Sequence, residues 1–564
     1  MATVADNASG PQPRWWLLAS AAAAGISLLY HYAAHNGFSN DHFIHLARAQ
    51  AMLAGDWPIR DYAEEGVPLT VLLSVGAQRV LGETPWAELV LTTGAMGLAA
   101  GVTCWLTAVL TRSALAGVGA ALLQALARPR LYSYPKIILY PVLVLLAWRY
   151  LDRPGRGRLA ALAGFTVVAF LMRHDHGVYT GLGAAAAVVV AHWRQGVPTV
   201  AKRLGELVVL AMVFVSPYVA YVQYHGGVGP YLRNGIAISQ TEASKTLGVR
   251  AEFDPLPAGR WLEDGAGIVI GPRLEAVLRP RYQAVALYWF FWSLPLIAVA
   301  WVLAGGRAGR GALTQPVLTL AALVAVMCLG LFREALETRA SDVYGAVPIL
   351  ALWALVTAWR WQPAHVAWRV ATRAAVMVVL LGLILATSRV GDAVNSFERT
   401  ALSEGPAAIA QRVRDVTQDA RTYPWARQWP AGNGWRVARY VRDCTASTDR
   451  LLVTWNKPEM YVWAQRPFAS GETLLVPALR PAAMFADRAL TRLQGQSVPI
   501  VLVQPSSYEE DFLRVYPAIA AFIDTRYTRV GHFGNDARDD VDVYVLKDRA
   551  PTGVDPEFQW PCFR

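Results

Sequence analysis

Long apolar stretches dominate the first two thirds of the chain, and their length predicts membrane-spanning helices. A transmembrane helix needs about 20 predominantly apolar residues. We interpret eleven stretches as spans, several of them short and 114–127 the weakest: 15–34, 85–110, 114–127, 137–151, 159–172, 177–193, 206–224, 284–303, 313–332, 343–359 and 374–389. The pattern therefore predicts a polytopic α-helical membrane protein with about 11 transmembrane helices.

The segment 67–81 is apolar but short, and the polar pair Gln78-Arg79 lies near its end. We interpret it as a helix lying in the membrane interface. Counting it as a full span would invert the topology of everything that follows it.

The pattern changes after residue 387, where no further apolar span occurs. Alternating or continuous apolar runs predict strands at 451–455, 498–503 and 541–546, and helical periodicity predicts helices at 437–443 and 509–526. We therefore divide the chain into a transmembrane domain, 1–389, whose first outer loop is 35–84, and a C-terminal α/β domain, 390–564.

Composition supports the membrane assignment. Hydrophobic residues make up 54% of the chain and charged residues only 16%, whereas soluble proteins carry about 25% charged residues. The net charge of +11 does not come from one basic patch, since the arginines lie at the ends of spans or are scattered through the last third. Nucleic-acid binding is therefore not expected.

If the N-terminus is cytoplasmic, the segments on the cytoplasmic side contain more arginine and lysine than the short loops on the opposite side. The positive-inside rule then places the C-terminal domain on the extracytoplasmic side of the membrane. Cys444 and Cys562 both fall in this domain. In an oxidising compartment a disulfide between them would tie down the chain end.

The first polar segment, 40–69, is rich in groups that could carry chemistry. Asp41, His45 and Arg48 follow at helical spacing, on one side of a short amphipathic helix. Gly55 to Pro58 break this helix, and Tyr62, Glu64 and Glu65 lead to a helix that begins with proline. Two carboxylate groups, Asp41 and Glu64/Glu65, are expected to return to one place at the membrane surface.

Asp41 has two interpretations. Transfer of a group to a hydroxyl needs a carboxylate that accepts the hydroxyl proton, and Asp41 has the right position for that role. A carboxylate near a helix N-terminus also caps the helix and complements its dipole. Spacing alone leaves both interpretations open.

Basic and aromatic side chains cluster at a second outer junction, where two predicted spans meet. A lipid phosphate needs arginine or lysine with hydrogen-bonding neighbours at headgroup depth. The junction supplies Arg128, Arg130, Tyr132, Tyr134 and Lys136. Ordinary interfacial anchoring by tyrosine and arginine explains the same pattern equally well.

Two further outer junctions carry ionisable residues. One holds Arg173, His174, Asp175 and His176, where the histidines could bind a divalent metal together with Asp41, bind the acceptor, or form a hydrogen-bonded turn. The other holds Arg333 and Arg339, which are candidate substrate contacts or members of a salt-bridge cluster.

The first loop resembles that of the GT-C glycosyltransferases, especially the bacterial members related to protein mannosyltransferases and lipid A aminoarabinose transferases. The resemblance lies in Asp41 after the first span, Gly55-Asp56-Trp57, Tyr62, and a carboxylate before Pro68-Leu69. It implies that Asp41 is the catalytic carboxylate and that Glu65 assists it. The chain departs from the family at His42, where many relatives have a second acid, and at 66–68, where relatives often have Lys-Pro-Pro.

The resemblance implies inverting transfer of a sugar from a polyprenyl-phosphate donor to a hydroxyl of a glycan, lipid or protein acceptor on the outer face. Mg²⁺, Mn²⁺ or Ca²⁺ is a candidate cofactor. The alternatives are a surface-polysaccharide ligase or polymerase, and a transporter or flippase of lipid-linked glycans. The sequence contains no GxxxxGK phosphate loop and no GxSxG motif, which argues against ATP-driven transport and lipase-type hydrolysis.

Overall fold

A computed structural model describes most of the chain and divides it into two compact units. The described residues are 14–38, 40–127, 135–238, 240, 280–304, 313–332, 342–388, 390–422, 434–475, 482–505, 512–534 and 540–564. Unit 1 comprises Met1–His35, Thr92–Ser216 and Thr246–Val413, and unit 2 comprises Asn36–Leu91, Pro217–Lys245 and Arg414–Arg564.

Helices account for nearly all of the described residues up to 421. Before the long segment around residue 260, residues 228–238 are helical and nine further helices occur: α1 (Arg14–Ala33), α2 (Asn40–Leu53), α3 (Pro68–Leu81), α4 (Pro85–Thr111), α5 (Ala114–Leu126), α6 (Leu139–Asp152), α7 (Arg156–Met172), α8 (His174–His192) and α9 (Val197–His225). Six follow it: α10 (Pro280–Ala304), α11 (Thr314–Cys328), α12 (Val347–Arg360), α13 (Val366–Ser388), α14 (Val390–Arg399) and α15 (Pro406–Arg421).

Every predicted span contains one of these helices. Six helical segments among the described residues are long and apolar enough to cross a membrane: Arg14–Ala33, Pro85–Thr111, Val197–His225, Ala286–Ala304, Thr314–Leu331 and Val366–Ser388. The other five predicted spans are helices of 13 to 19 residues. A 3₁₀ turn at Pro135–Ile138 lengthens α6. The interfacial position of α3, which has 14 residues, stays a prediction.

Unit 1 is a helical bundle with a continuous apolar core, to which α5, α6, α8, α10, α11 and α12 contribute. Gly183 of α8 lets two neighbouring helices approach closely. A Cβ at this position would lie 2.9 Å from Leu323 Cδ1 and 3.0 Å from Leu143 Cδ2. Small residues at such contacts are typical of helices that pack within a membrane.

The outer surface of the long helices is apolar. Val208, Val209 and Met212 of α9 are 59%, 62% and 60% exposed. Such a band is stable against lipid hydrocarbon, which agrees with the predicted spans.

The C-terminal part of unit 2 is an α/β structure. Its helices are α16 (Trp435–Cys444), α17 (Glu459–Ala464), α18 (Ala482–Gln494) and α19 (Pro517–Arg526). Its strands are β1 (Leu451–Val453), β2 (Ile500–Val503), β3 (Tyr527–Phe533), β4 (Val541–Leu546), β5 (Gly553–Val554) and β6 (Pro561–Cys562). The predicted class, a polytopic helical membrane protein with a C-terminal α/β domain, is confirmed.

The main sheet has the strand order β1-β2-β4-β3. β1 and β2 are parallel, with Leu451 opposite Ile500, and the other two pairs are antiparallel. All residues of β1, at the edge of the sheet, and of its neighbour β2 are buried, so both faces of these two strands are covered. A disulfide between Cys444 and Cys562, with Cα atoms 4.3 Å apart, joins the end of α16 to β6.

Unit 2 also contains the first outer loop, so α2 and α3 pack with the C-terminal residues. Phe43 of α2 meets Trp463 of α17 edge to face at a centroid distance of 5.6 Å. The sequence had placed this loop with the transmembrane domain, and nothing in the spacing of its residues indicated these partners.

Candidate active site

Asp41 is the second residue of α2, in the first turn of the helix. Its side chain lies outside the described part of the structure, so its role as general base stays a prediction. The helix begins at Asn40, and whether Asp41 caps it stays open as well.

Arg48 and Glu65, both predicted from the sequence, form an ion pair. Arg48 Nη2 lies 2.8 Å from Glu65 Oε2, and the arginine side chain is 1% exposed. Within the described residues, Arg48 Nε and Nη1 make no hydrogen bond. Electrostatic attraction to carboxylate therefore holds the guanidinium in place. Water does not screen this attraction, because the arginine is buried.

Glu64 stabilises the start of α3. Its Oε1 accepts a hydrogen bond of 2.5 Å from the backbone N–H of Val67, the N-cap residue of the helix. Its Oε2 accepts from Tyr218 at 3.1 Å and from Tyr231 at 2.5 Å. A carboxylate at this position complements the helix dipole. The two tyrosines were missed by the sequence analysis, because they lie more than 150 residues further along the chain.

Tyr62 and His45 lie in the same unit. Tyr62 is 1% exposed, packs edge to face with Phe468 at 5.6 Å, and its hydroxyl has no hydrogen-bond partner among the described residues. Burial raises the pKa of Tyr62, whereas the charge of Arg48 lowers it. His45 is half-buried on α2.

A buried carboxylate that the sequence did not indicate, Glu472, interacts with the same arginine. Burial raises the pKa of Glu472 to about 7, and the charges of Arg488 and Arg48 lower it. Arg488 Nη2 also donates to Glu472 Oε1 at 2.8 Å. Arg48 therefore pairs with Glu65, whose side chain is 21% exposed, and its charge also lowers the pKa of the buried Glu472.

The loop between α2 and α3 is tied to the C-terminal residues by ion pairs. Asp56 accepts two hydrogen bonds from Arg450, at 2.6 and 2.9 Å, and lies 3.4 Å from Arg492 Nη2. Arg492 Nη1 lies 3.5 Å from Asp61 Oδ1. Burial acts to raise the pKa of Asp61, but the hydrogen bond from Arg60 and the Trp57 N–H lower it, so the net shift is downward.

His42 takes part in a second buried polar network that was not predicted. His42 Nε2 lies 3.3 Å from Glu88 Oε1, and both side chains are at most 1% exposed. Ser74 donates to Glu88 Oε2 at 2.5 Å. A buried carboxylate such as Glu88 needs hydrogen-bond donors, because burying it without them is costly. The network links α2, α3 and the start of α4.

In unit 1, the junction residues Lys136, Arg173, Asp175 and His176 form a separate cluster. Lys136 Nζ lies 3.4 Å from Asp342 Oδ1, and His176 Nε2 lies 4.0 Å from Asp342 Oδ2 and 3.8 Å from Asp175 Oδ1. Arg173 Nε lies 3.0 Å from Asp175 Oδ1. The structure thus brings together residues that the sequence had placed at two different junctions.

The two histidines of this cluster have different partners. His176 is fully buried and hydrogen-bonds to the hydroxyl of Tyr140. His174 stacks on Phe170 with ring centroids 3.9 Å apart, and its Nδ1 lies 2.9 Å from the Phe170 carbonyl oxygen. Among the described residues, no group of three or more His, Cys, Asp or Glu side chains could hold a metal ion. The His174–His176 pair does not itself form such a site.

Several predicted contacts lie outside the described residues: Arg128, Arg130, Tyr132, Tyr134, Arg333 and Arg339. Asp41 and Glu65 belong to unit 2, whereas Lys136, Arg173 and His176 belong to unit 1.

The fold therefore defines a multi-pass helical membrane protein with an α/β C-terminal part and buried ion pairs in each unit. No family model matches the sequence, and no curated protein matches it. Among solved structures, the chain is similar to ArnT from Cupriavidus metallidurans bound to undecaprenyl phosphate, with 15% identity, a TM-score of 0.43, and coverage of 94% of this chain and 97% of that chain. It is similar to the apo state of the same protein with 15% identity, a TM-score of 0.42, and coverage of 94% and 98%.

Proposed function

We propose that this chain is a GT-C-type glycosyltransferase of the bacterial inner membrane. It transfers a sugar from a polyprenyl-phosphate donor to an acceptor hydroxyl on the outer face, with inversion at the anomeric carbon. One observation in the first outer loop carries the proposal. Arg48, which lies between the motif residues Asp41 and Glu65 in the sequence, is buried and pairs with Glu65 at 2.8 Å.

In this mechanism Asp41 accepts the proton of the acceptor hydroxyl as its oxygen attacks the anomeric carbon. The bond between that carbon and the phosphate oxygen breaks, and the lipid phosphate leaves with the electron pair. Glu65 assists at the site, and its partner Arg48 fixes its orientation. Positive charge near the departing phosphate lowers the barrier. The candidates for this role are Arg128, Arg130, Lys136 and Arg173.

A divalent cation, Mg²⁺, Mn²⁺ or Ca²⁺, stays part of the proposal, because it would supply additional positive charge to the leaving phosphate. Asp41, His174 and His176 are its candidate ligands. Since the described residues form no metal cluster, no step above depends on a metal.

The most direct test is transfer from a labelled polyprenyl-phosphate sugar by the purified full-length chain and by Asp41→Asn. Loss of a general base lowers the rate by about 10²–10⁴-fold, so Asp41→Asn should lose nearly all activity. Glu83→Gln is the matched control, because Glu83 is an exposed carboxylate at the end of the same loop.

Full activity of Asp41→Asn would remove Asp41 as the base. A polysaccharide ligase or polymerase would instead lose activity on substitution of arginine or histidine in 225–283. A flippase would move the lipid without forming a new glycosidic bond, which the product analysis detects.

The proposed orientation places the N-terminus in the cytoplasm and Cys444 outside. In a Cys104→Ala/Cys328→Ala background, an impermeant thiol reagent should label Cys444 and Cys562 in intact spheroplasts after reduction. Labelling that requires rupture of the inner membrane would reverse the orientation.

A further inference from the structure

Two tyrosines of unit 2 lie beside the first outer loop and have no part in the reaction proposed above. Tyr218 is near the C-terminal end of α9, and Tyr231 is in the helical segment 228–238. Their rings meet edge to face with centroids 6.3 Å apart, and their hydroxyl oxygens are 3.0 Å apart. Both side chains are half-buried. The two hydroxyls therefore form one polar group on this side of the loop.

This pair of hydroxyls meets a carboxylate of the loop. Tyr231 donates to Glu64 Oε2 at 2.5 Å, and Tyr218, whose single proton can point to either neighbour, lies 3.1 Å from the same oxygen. Glu64 Oε1 accepts from the backbone N–H of Val67 at 2.5 Å. A carboxylate oxygen has two lone pairs. The protein itself therefore occupies both lone pairs of Oε2.

The hydroxyl of Tyr231 remains a donor at every physiological pH. Burial raises the pKa of Tyr231, and the negative charge of Glu64 raises it further. A phenol that keeps its proton beside a carboxylate makes a charge-assisted hydrogen bond, which is stronger than one between neutral groups.

The same helices contact the loop at a second place. Tyr221 of α9 donates to the Pro58 carbonyl oxygen at 2.6 Å. In the turn after α9, a Cβ on Gly226 would lie 2.9 Å from Ile59 Cγ2. The loop is therefore held against α9 and the segment 228–238 both at 58–59 and at Glu64.

The adjacent carboxylates Glu64 and Glu65 have different partners. Glu64 accepts from the two tyrosines, whereas Glu65 pairs with Arg48 of α2 at 2.8 Å. Because the two residues share a peptide bond, any shift of Glu64 also moves the backbone that carries Glu65.

We propose that Tyr218 and Tyr231 are positioning residues: they hold Glu64 by hydrogen bonds and so fix the backbone from which Glu65 reaches Arg48. Glu64 then orders the loop and does not contact the substrate. The effect on sugar transfer rests on the proposed function, whereas the effect on the loop does not.

The first experiment measures hydrogen exchange of the backbone amides in 58–67 in the full-length protein. Tyr218→Phe/Tyr231→Phe removes both hydroxyls and keeps both rings. It should increase exchange at Val67 about fivefold or more, the usual effect of a lost hydrogen bond, because the released Glu64 no longer stays on that N–H. Tyr224→Phe is the matched control, since Tyr224 lies on the same helix and is 85% exposed. It should leave exchange at Val67 unchanged.

Unchanged exchange at Val67 in the double variant would overturn the proposal. An increase in Tyr224→Phe as large as in the double variant would also overturn it, because the loss of any hydroxyl from α9 would then have the same effect.

A substitution of the carboxylate tests whether the tyrosines act through it. An amide has one acceptor oxygen, so Glu64→Gln cannot accept from both Val67 and the tyrosines. It should increase exchange at Val67 as well, and adding Tyr231→Phe should increase it little further, because both substitutions disturb one interaction. Increases that simply add would contradict the mechanism.

The last experiment separates positioning from substrate binding. In Tyr231→Phe, kcat for sugar transfer should fall by between about 10- and 100-fold, the usual cost of a small misplacement, with little change in KM for the donor. A raised KM with unchanged kcat would show that the hydroxyl binds substrate, and would overturn the proposal. If wild type shows no transfer at all, the proposed function fails, while the exchange measurements still decide whether the tyrosines position the loop.

Discussion

Units 1 and 2 each contain a cluster of ion pairs, but the two clusters differ in depth. In unit 1, Arg173 and Asp175 are 28% and 21% exposed, so water screens part of their attraction. In unit 2, the side chain of Arg48 is only 1% exposed, although that of its partner Glu65 is 21% exposed. A buried ion depends on its partners far more than an exposed one. We therefore expect loss of a single charge to lower the unfolding free energy more in unit 2 than in unit 1.

The largest expected effect follows from removing the buried arginine. Arg48→Met leaves Glu65 and Glu472 without this counter-charge, and breaking a buried pair costs about 3–5 kcal/mol of unfolding free energy. Arg173→Met is the matched change in unit 1 and should cost about 1 kcal/mol or less, because that pair is partly exposed. Thermal unfolding in detergent measures both. Equal losses would show that burial does not distinguish the clusters.

Glu472→Gln should give the next largest change in unfolding free energy, and the direction of this change depends on pH. The pKa is raised from 4.5 to about 7, because burial favours the protonated form. The stability contributed by that form is fully present below pH 4.5 and is lost as the pH rises through about 7. The neutral variant avoids this loss, so at pH 8 it should be more stable by up to about 3 kcal/mol.

Apparent melting temperatures at pH 5 and pH 8 check this, and the advantage of the variant should shrink at pH 5. A variant that is less stable than wild type at pH 8 would show that the ionised carboxylate contributes net stability.

Gly471→Ala tests the close contact between the loop and the C-terminal part. Its positive φ and the two contacts at 2.9 Å predict a loss of about 1–3 kcal/mol. Gly553→Ala, where a Cβ would meet nothing within 4 Å, should cost less than about 0.5 kcal/mol. A Gly471→Ala protein as stable as the Gly553→Ala protein would contradict the packing of 61–63 on 470–472.

The smallest effect is expected in unit 1. Tyr140→Phe removes the hydrogen bond to His176 and should cost about 1 kcal/mol. Chemical denaturation of the two proteins under identical conditions measures the difference. A loss as large as that of Arg48→Met would mean that the unit 1 cluster is as strongly coupled as that of unit 2.

Sequence patterns predicted the fold well where the signal is local. Apolar runs located α1, α4 and the other span helices, and short apolar runs located β2 at Ile500–Val503 and β4 at Val541–Leu546. The strand Tyr527–Phe533 was missed, because the predicted helix 509–526 ended just before it and its exposed residues follow no simple alternation. Pro517 also divides that predicted helix, since the described residues give separate helices at Leu513–Val515 and Pro517–Arg526.

The candidate site was predictable only in part. The spacing of Arg48 and Glu65 within one loop was visible in the sequence, and the structure pairs them. Other neighbours of the loop were not visible: Glu472, whose pKa the charge of Arg48 lowers, and Tyr231, which donates to Glu64, come from distant parts of the chain and belong to no motif. A single glutamate in a short segment with Phe468-Ala469 before it and Leu474-Leu475 after it is the kind of signal that could have drawn attention to Glu472.

The central claim of the proposed function is that Asp41 accepts the proton of the acceptor hydroxyl. Single-turnover transfer at saturating donor, compared between Asp41→Asn and Glu83→Gln, tests it most directly. The proposed function predicts that Asp41→Asn loses about 10²–10⁴-fold in the chemical step, whereas Glu83→Gln keeps the wild-type rate. An Asp41→Asn protein that transfers sugar at the wild-type rate would contradict the account.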